Sequence, residues 1–586
     1  MNSDSKNFIL FIILSFLIIL TWSLFMAPKS KKPAPGQPTV QAPGPEKQAP
    51  SAPQPATGHT AGEAAAAQPP AVKPAATVSG EFAAGPEKRI GVQNGVFEIE
   101  FSSKGAVPVS WKLLQHKDRV YFPYEVNLRW PPITKIEPFD PEPVNMVDPK
   151  LAPGREPFRS EIHLGGLVVP EQAVWETETE KLELLPGSGP QSLSFHLRTP
   201  DGSVLTKSYT FRPDDYTAEL EISLSPGPIP KPDQPVQVIT RLSYLHDPGS
   251  RLTSGMSSVN FVGPLCYTGV KLYQAKADNL VKKGPEEHSP VTWAGFTESF
   301  FLTALLTEPA GSITWEARYS GPEDLRQDKK AAKELTGELR VSPGEAELKT
   351  GTLLKVRLFV GPKQRELLAK VNDKLPLAID YGVLYILVRP LMWCLNQLYQ
   401  VIPNYGVCIV ALTVILRMGM FPLTRKGQQS MKEMQKLQPE MQKLREKYPK
   451  DRMKQQEEMA ALYKRYKVNP LGGCLPMLLQ IPVFFAFYKA LLISVELRHA
   501  PFFGWIQDLS GRDPLLVWPV LMGATQVAMQ KMTPTTSMDP TQARMMMLMP
   551  LVFIFLLLYF PSGLIIYWTA SNLVGIGQQI YVNRKG

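Results

Sequence analysis

The chain has little of what enzymes use for covalent chemistry. It holds only four cysteines, Cys266, Cys394, Cys408 and Cys474, and Cys266 alone lies in the stretch that reads as soluble. That count leaves no intradomain disulfide and no cysteine-based metal cluster there. The seven histidines do not cluster. There is no G-x-x-x-x-G-K-[ST] loop, no H-E-x-x-H helix and no G-x-S-x-G elbow, so nothing hydrolyses ATP within the chain. No cofactor and no metal is expected, and the chain reads as something other than an enzyme. Acidic residues are missing from one particular place: no Asp or Glu falls within the long apolar runs, and Glu496 lies at the outer end of one.

The 586 residues are enough for two or three folded units. A mean hydropathy of −0.10 looks ordinary, but the apolar residues are segregated to the two ends. Net charge is +10, which points to an acidic partner such as lipid headgroups or RNA. Phe8–Met26 carries no charge over 19 residues, long enough to cross about 30 Å of hydrocarbon. No A-x-A site follows it, so residues 1–27 are expected to be an uncleaved transmembrane anchor. Residues 28–84, dominated by Pro, Ala, Gly and Gln, read as a flexible linker. From 85 to 372 the period becomes two. Phe97, Ile99 and Phe101 alternate with polar neighbours, as do Ala218, Leu220, Ile222 and Leu224, and Leu354, Val356, Leu358 and Val360. Such runs between Pro/Gly turns predict an antiparallel β-sandwich.

The remainder reads as membrane. Pro390–Leu416 is charge-free for 27 residues but is broken at Pro403-Asn404. Residues 373–403 are expected to be an interfacial amphipathic helix, and 404–423, 472–495, 514–531, 544–561 and 562–583 five spans. Pro561-Ser562-Gly563 marks the reversal between the last two. Residues 424–471 hold thirteen Lys/Arg against six Asp/Glu. There Met434, Leu437, Met441 and Leu444, then Met459, Leu462 and Tyr466, predict a basic helical hairpin with apolar seams. A short basic loop belongs in the cytoplasm. Counting from it, both termini are cytoplasmic and the β domain is extracytoplasmic. Lys29, Lys31 and Lys32 after the first run argue the other way, but a long domain translocates largely regardless of flanking charge.

Arg417 falls inside an expected span, eight residues before Arg425. Burying such a cation costs about 2.5–3.5 kcal/mol on insertion scales. It could snorkel, pair with an acid, or face a wet cavity where it recruits anionic groups of a passing ligand; the missing acids favour the last. Thr413, Gln480, Gln526, Gln530, Asn572, Gln578 and Gln579 are singly interhelical glue and together could line a hydrated groove. Lys489 is expected to snorkel outward. The Met-rich seams of the hairpin suit varied hydrophobic segments, and its basic face suits anionic lipid or ribosomal phosphates.

Leu416-Arg417, Phe421-Pro422-Leu423-Thr424, Leu437-Gln438-Pro439, Met459 to Tyr463, Val468 to Pro476, Gln480-Ile481-Pro482, Ser494 to Arg498, Lys531 to Thr535 and Phe560 to Leu564 follow one another in an order that resembles the YidC membrane protein insertase family. The anchor, the linker and the β domain ending Phe359-Val360-Gly361-Pro362 resemble its Gram-negative form. The resemblance implies a periplasmic β-supersandwich and five helical spans around a groove. It places the family's intramembrane arginine on Arg417, the groove threonine on Thr413 and an aromatic pair on Tyr567 and Trp568; Gln480 and Gln530, from the polar residues named above, are expected beside them in the groove. It also implies a monomer in the bacterial inner membrane, with nascent membrane proteins, the Sec translocon, the ribosome (through the hairpin and C-terminus) and anionic lipids as partners. Similarity of the β fold to sugar-active proteins does not make it an enzyme. Two other classes fit some of the residues: a secondary transporter using Arg417 as ligand for a small anion, although no internal repeat is visible, and a periplasmic binding receptor centred on the β domain.

Overall fold

The computed structural model describes residues 85–126, 133–151, 153–225, 236–246, 261–307, 312–322, 333–449, 451–466, 468, 475–532 and 540–585. The chain divides into two units, Met1–Ala76 and Thr77–Gly586, and every described residue belongs to the second. The expected anchor at 1–27 and linker at 28–84 lie outside the described residues.

Where the sequence alternates, strands form. In Val204–Phe211 the residues Leu205, Lys207, Tyr209 and Phe211 are buried while those between them are less so, because successive side chains leave a strand on opposite faces. This strand belongs to an eight-stranded sheet ordered Gln191–Arg198, Val204–Phe211, Thr217–Ser225, Thr352–Pro362, Phe301–Thr307, Trp293–Thr297, Gly263–Tyr267 and Leu272–Gln274. The last strand of the domain, Thr352–Pro362, is inserted in its middle, with Val356 opposite Leu220 and Leu358 opposite Leu305. The chain therefore leaves for the helical region from the centre of the sheet. A six-stranded sheet runs Glu286–His288, Ser312–Tyr319, Lys333–Ser342, Val236–His246, Arg159–Leu164 and Leu167–Val169, and a five-stranded one runs Pro143–Asn145, Val107–Lys117, Phe97–Ser102, Arg89–Gln93 and Lys181–Glu183. All three contribute to one core. Phe97 meets Phe211 at 5.8 Å, and Phe296 meets Trp315 at 6.3 Å, each across two sheets. Aromatic side chains of this size each bury 150–250 Å² or so, and dominate such a core.

Two short helices, α1 (Ala277–Lys283) and α2 (Glu345–Thr350), decorate the sheets, and α3 (Arg365–Val371) closes the domain. The interfacial segment expected at 373–403 is only partly α-helical. Two 3₁₀ turns, Leu375–Ala378 and Gly382–Leu384, come first, and α4 spans Tyr385–Val401. Val388, Leu391, Met392 and Leu395 bury one face of α4 at i, i+3, i+4 and i+7 spacing. At the Pro403-Asn404 break, the Asn404 side chain accepts from Val407 N at 3.0 Å and donates to Phe502 O at 3.0 Å. It caps the next helix and ties it to a distant loop in one residue.

That helix, α5 (Tyr405–Lys436), does not stop near 423. It continues through Pro422 for 32 residues and supplies the first limb of the basic region itself. Helices α6 (Gln438–Lys447) and α7 (Arg452–Arg465) follow. Met434, Leu437 and Met441 pack on Leu462 and Val468, with Tyr463 against them. The expected seam residue Tyr466 instead turns outward and donates to Glu440 at 2.9 Å. The remaining helices are α8 (Leu475–Ile493), α9 (Val517–Met532), α10 (Pro540–Leu557) and α11 (Ser562–Lys585). Among the described residues α5 is the one helix long and apolar enough to cross a membrane by length and composition, and Gln480–Ile493 and Leu548–Leu557 are shorter apolar stretches.

The end of α8 is built into the β domain. Ile493 and Val495 share a core with Leu368, Leu375 and Ile379. The Arg498 guanidinium donates to Asp118 O at 3.1 Å and lies over the Phe301 ring at 5.3 Å. Lys489, expected to snorkel outward, is 5% exposed and within electrostatic reach of Asp380. Lys363, at the end of the β domain, also lies within electrostatic reach of it.

Candidate functional site

The polar residues of the helical region gather where α5 and α11 cross. Along α5 the buried positions Ile409, Leu412, Thr413 and Arg417 recur at helical spacing. Along α11, Ser571, Gly575, Gln578 and Val582 recur at 4-3-4 spacing and are also buried, so they form a single face. The two faces meet through polar contacts. Arg417 Nε donates to Ser571 Oγ at 2.8 Å, and Gln578 Nε2 donates to the Arg417 carbonyl at 3.0 Å. Nearer the end of α11, Lys432 Nζ donates to Val582 O at 2.9 Å, a cation placed on free carbonyls at a helix C-terminus.

Arg417 is 8% exposed. Its side chain crosses to α11 and does not run along α5 to the surface. Among the described residues no carboxylate pairs with it. Arginine cannot shed its proton in a protein, so this is a full positive charge. Thr413 sits one turn earlier, but its hydroxyl donates to Ile409 O of its own helix at 2.6 Å, and is thereby occupied.

Of the other expected site residues, Gln480 and Gln530 lie on neighbouring helices, and Tyr567 and Trp568 lie on α11 itself. Gln480 on α8 donates to the Tyr567 hydroxyl, and Phe487 stacks on the Tyr567 ring at 4.3 Å. Tyr567 is buried against α8. Trp568 faces a different group, lying edge-on to Phe484 at 5.0 Å and 5.5 Å from Phe553 of α10. The two adjacent aromatics therefore serve separate contacts. On α9, Thr525 Oγ1 accepts from Asn572 at 3.1 Å, while Gln526 Oε1 is buried with no partner among the described residues. Gln530 is half-buried two residues before the end of the same helix and also engages a neighbour. Close helix approach is set by small residues. A Cβ on Gly523 would lie 2.2 Å from Ile554 Cδ1 of α10, and one on Gly575 would lie 3.1 Å from Met529 Cε of α9.

Sequence reasoning named Arg417, Thr413, Gln480, Gln530, Tyr567 and Trp568 and missed Ser571. Among the described residues no group of three His, Cys, Asp or Glu is placed to hold a metal ion.

Comparison with known proteins follows the same division of the chain. The family model described as 60Kd inner membrane protein matches residues 397–586, and that of the YidC periplasmic domain matches residues 139–394. A membrane protein insertase YidC of Geobacter metallireducens is 34% identical over 581 residues, covering 99% of this chain and 98% of the relative. One from Geobacter sulfurreducens is 40% identical over 420 residues, covering 72% of this chain and 76% of the relative. A crystal structure of an active YidC insertase, with its first transmembrane domain resolved, is 19% identical and covers 85% of this chain and 93% of its own, at a TM-score of 0.35. The molecule is an inner-membrane protein with a β-rich periplasmic domain and a helical C-terminal region. With near full-length relatives at 34% identity, the chain belongs to the YidC family of membrane protein insertases.

Proposed function

We propose that this chain inserts newly made membrane proteins into the inner membrane and assists their folding, without a covalent step. Six spans carry it, the N-terminal anchor and five more, with both termini cytoplasmic. The five C-terminal spans form a groove lined by Arg417, Thr413, Gln480, Gln530, Tyr567 and Trp568. A polar groove shortens the apolar path, so a client's hydrophilic tail enters only part of the hydrocarbon before crossing. Arg417 attracts acidic or polar groups of that tail and offsets part of their desolvation. The client's apolar segment then leaves into lipid. At about 25 cal/mol per Å², burial of a helix of some 20 residues provides the driving force. The basic segment containing α6 and α7 receives the client and, with the C-terminus, the ribosome. Anionic lipid neutralises its charge, and the protein works as a monomer, alone or beside the Sec translocon.

The observation that carries this reading is the buried Arg417, held by Ser571 and without a carboxylate partner among the described residues. A cation kept there at a cost is expected to have a transient partner. The test compares Arg417→Ala and Arg417→Lys for insertion of several single-span proteins with acidic translocated tails. The alanine variant is expected to lose about tenfold or more, the effect of one lost charge interaction in a low-dielectric site, and the lysine variant less. Unimpaired insertion by the alanine variant across these clients would remove the cation from the mechanism.

A further inference from the structure

We infer that Ser571 is a positioning residue for Arg417, acting through the single hydrogen bond to Nε. This rests on the reading of Arg417 as the groove cation. A guanidinium has five N–H groups in a fixed plane, one on Nε and four on the two terminal nitrogens. Fixing Nε fixes that plane, because Nε lies between the flexible stem and the fork. Ser571 Oγ accepts from Nε at 2.8 Å and is buried. The four remaining N–H groups are then the ones available to a client, and among the described residues no carboxylate takes them.

Three details set this serine apart from ordinary interhelical glue. The nearest hydroxyls on the two crossing helices bond back to their own backbone. Thr569, two residues earlier, donates to Ile565 O at 2.8 Å, and Thr413 donates to Ile409 O at 2.6 Å. Ser571 is instead the acceptor of a charged donor on another helix, the stronger kind of hydrogen bond. One turn further, Gly575 keeps the helix surface low beside the guanidinium: a Cβ there would stand 4.0 Å from Arg417 Nη1 and press on Met529. One turn beyond that, Gln578 holds the Arg417 backbone carbonyl at 3.0 Å. Backbone and Nε are thus both held by one face of α11, while the fork is left to other partners.

The experiment uses the full chain in membranes and two clients that differ only in an acidic or a neutral translocated tail. Ser571→Ala is expected to lower the acidic-to-neutral insertion ratio about tenfold, as expected for one hydrogen bond to a charged group. Ser571→Thr, which keeps the hydroxyl, is expected to restore the ratio. In an Arg417→Lys background Ser571→Ala is expected to add nothing, because lysine has no N–H at the Nε position. An equal loss for both clients, or the same loss in the lysine background, would make Ser571 a structural tie between helices and overturn the inference; so would an unchanged ratio. Arg417→Ala, run alongside, separates the two levels. If it inserts acidic-tailed clients normally, the groove reading itself fails. If it fails while Ser571→Ala is normal, only the positioning role is lost.

Discussion

The β domain and the helical region solve the same burial problem against different surroundings. In the β domain, among the described residues, only Tyr124, Leu185 and Val270 are large apolar side chains left exposed. The helical region leaves them exposed throughout: Ile386 and Trp393 on α4, Ile415 and Met418 on α5, and Leu551, Val552, Phe555 and Leu556 on α10. A helix apolar on its outer as well as its inner face belongs where the outside is hydrocarbon. The same kind of apolar side chain is therefore core in one half and outward-facing in the other.

Buried cations divide in the same way. Lys207 in the β core is fully buried, and donates to Phe158 O at 2.8 Å and Gly105 O at 3.2 Å. Burial, helped by the nearby Arg159 charge, holds its pKa well below that of an ordinary lysine. It can lie there neutral, stapling two carbonyls of distant turns. Arg417 has no such option. Lys207 can give up its proton to suit its surroundings, and Arg417 cannot.

The most damaging way to break that comparison is Lys207→Arg, which forces a permanent charge into the β core. It is expected to cost about 3–5 kcal/mol and to make the β domain of the full chain protease-sensitive, whereas Lys207→Met costs about 1–3 kcal/mol from its unpaired carbonyls. Equal stability of the two variants would show that Lys207 is already charged. Next come two glycines. A Cβ on Gly295 would meet the Thr303 carbonyl oxygen at 2.0 Å, a backbone atom that cannot yield, while one on Gly523 meets the mobile end of Ile554. Gly295→Ala is expected to lower thermal stability by about 3 kcal/mol, and Gly523→Ala by about 1 kcal/mol. A third pair tests the two surroundings directly. Leu358→Ala in the β core is expected to cost about 2–5 kcal/mol; Leu556→Ala on the outside of α10, assayed in lipid, is expected to stay within about 0.5 kcal/mol. A large loss at Leu556 would mean that protein, and not lipid, covers it.

The smallest effect concerns pH. Burial raises the Glu298 carboxyl to about 7, with Lys363 acting against the shift. Its folded pKa lies above its unfolded value, so its contribution to stability is complete below the unfolded pKa and is lost as pH rises through about 7. The melting temperature of the wild type relative to Glu298→Gln is expected to fall by about 2–4 °C across that window, equivalent to some 1 kcal/mol for a domain of this size. A constant difference would show that Glu298 is ionised throughout.

The β strands were legible because alternation is a local property: Leu354, Val356 and Leu358 state their face without knowing what covers it. Arg417 was legible for a related reason, since a charge within an apolar run is conspicuous wherever the helix packs. Ser571 was not, because a small polar residue in a helix has the same appearance whether it bonds to its own backbone or to a partner. Lys489 was misread for want of a neighbour. Its outward position on α8 suggested escape to the surface, yet the β domain, more than a hundred residues away in sequence, packs around the end of that helix. Tyr466 and Tyr463 are both compatible with one apolar stripe, and only the approach of Met441 selects Tyr463.

The amino-acid order alone determined which segments are strands, which are apolar helices, and that a lone arginine sits where acids are absent, because each follows from spacing along a chain of fixed geometry. Only the tertiary structure decided that Arg417 crosses to Ser571, that Gln480 reaches Tyr567, and that Lys489 is enclosed. Those outcomes depend on which faces of separate helices and sheets meet, and a buried polar group takes whatever partner that packing brings within about 3 Å.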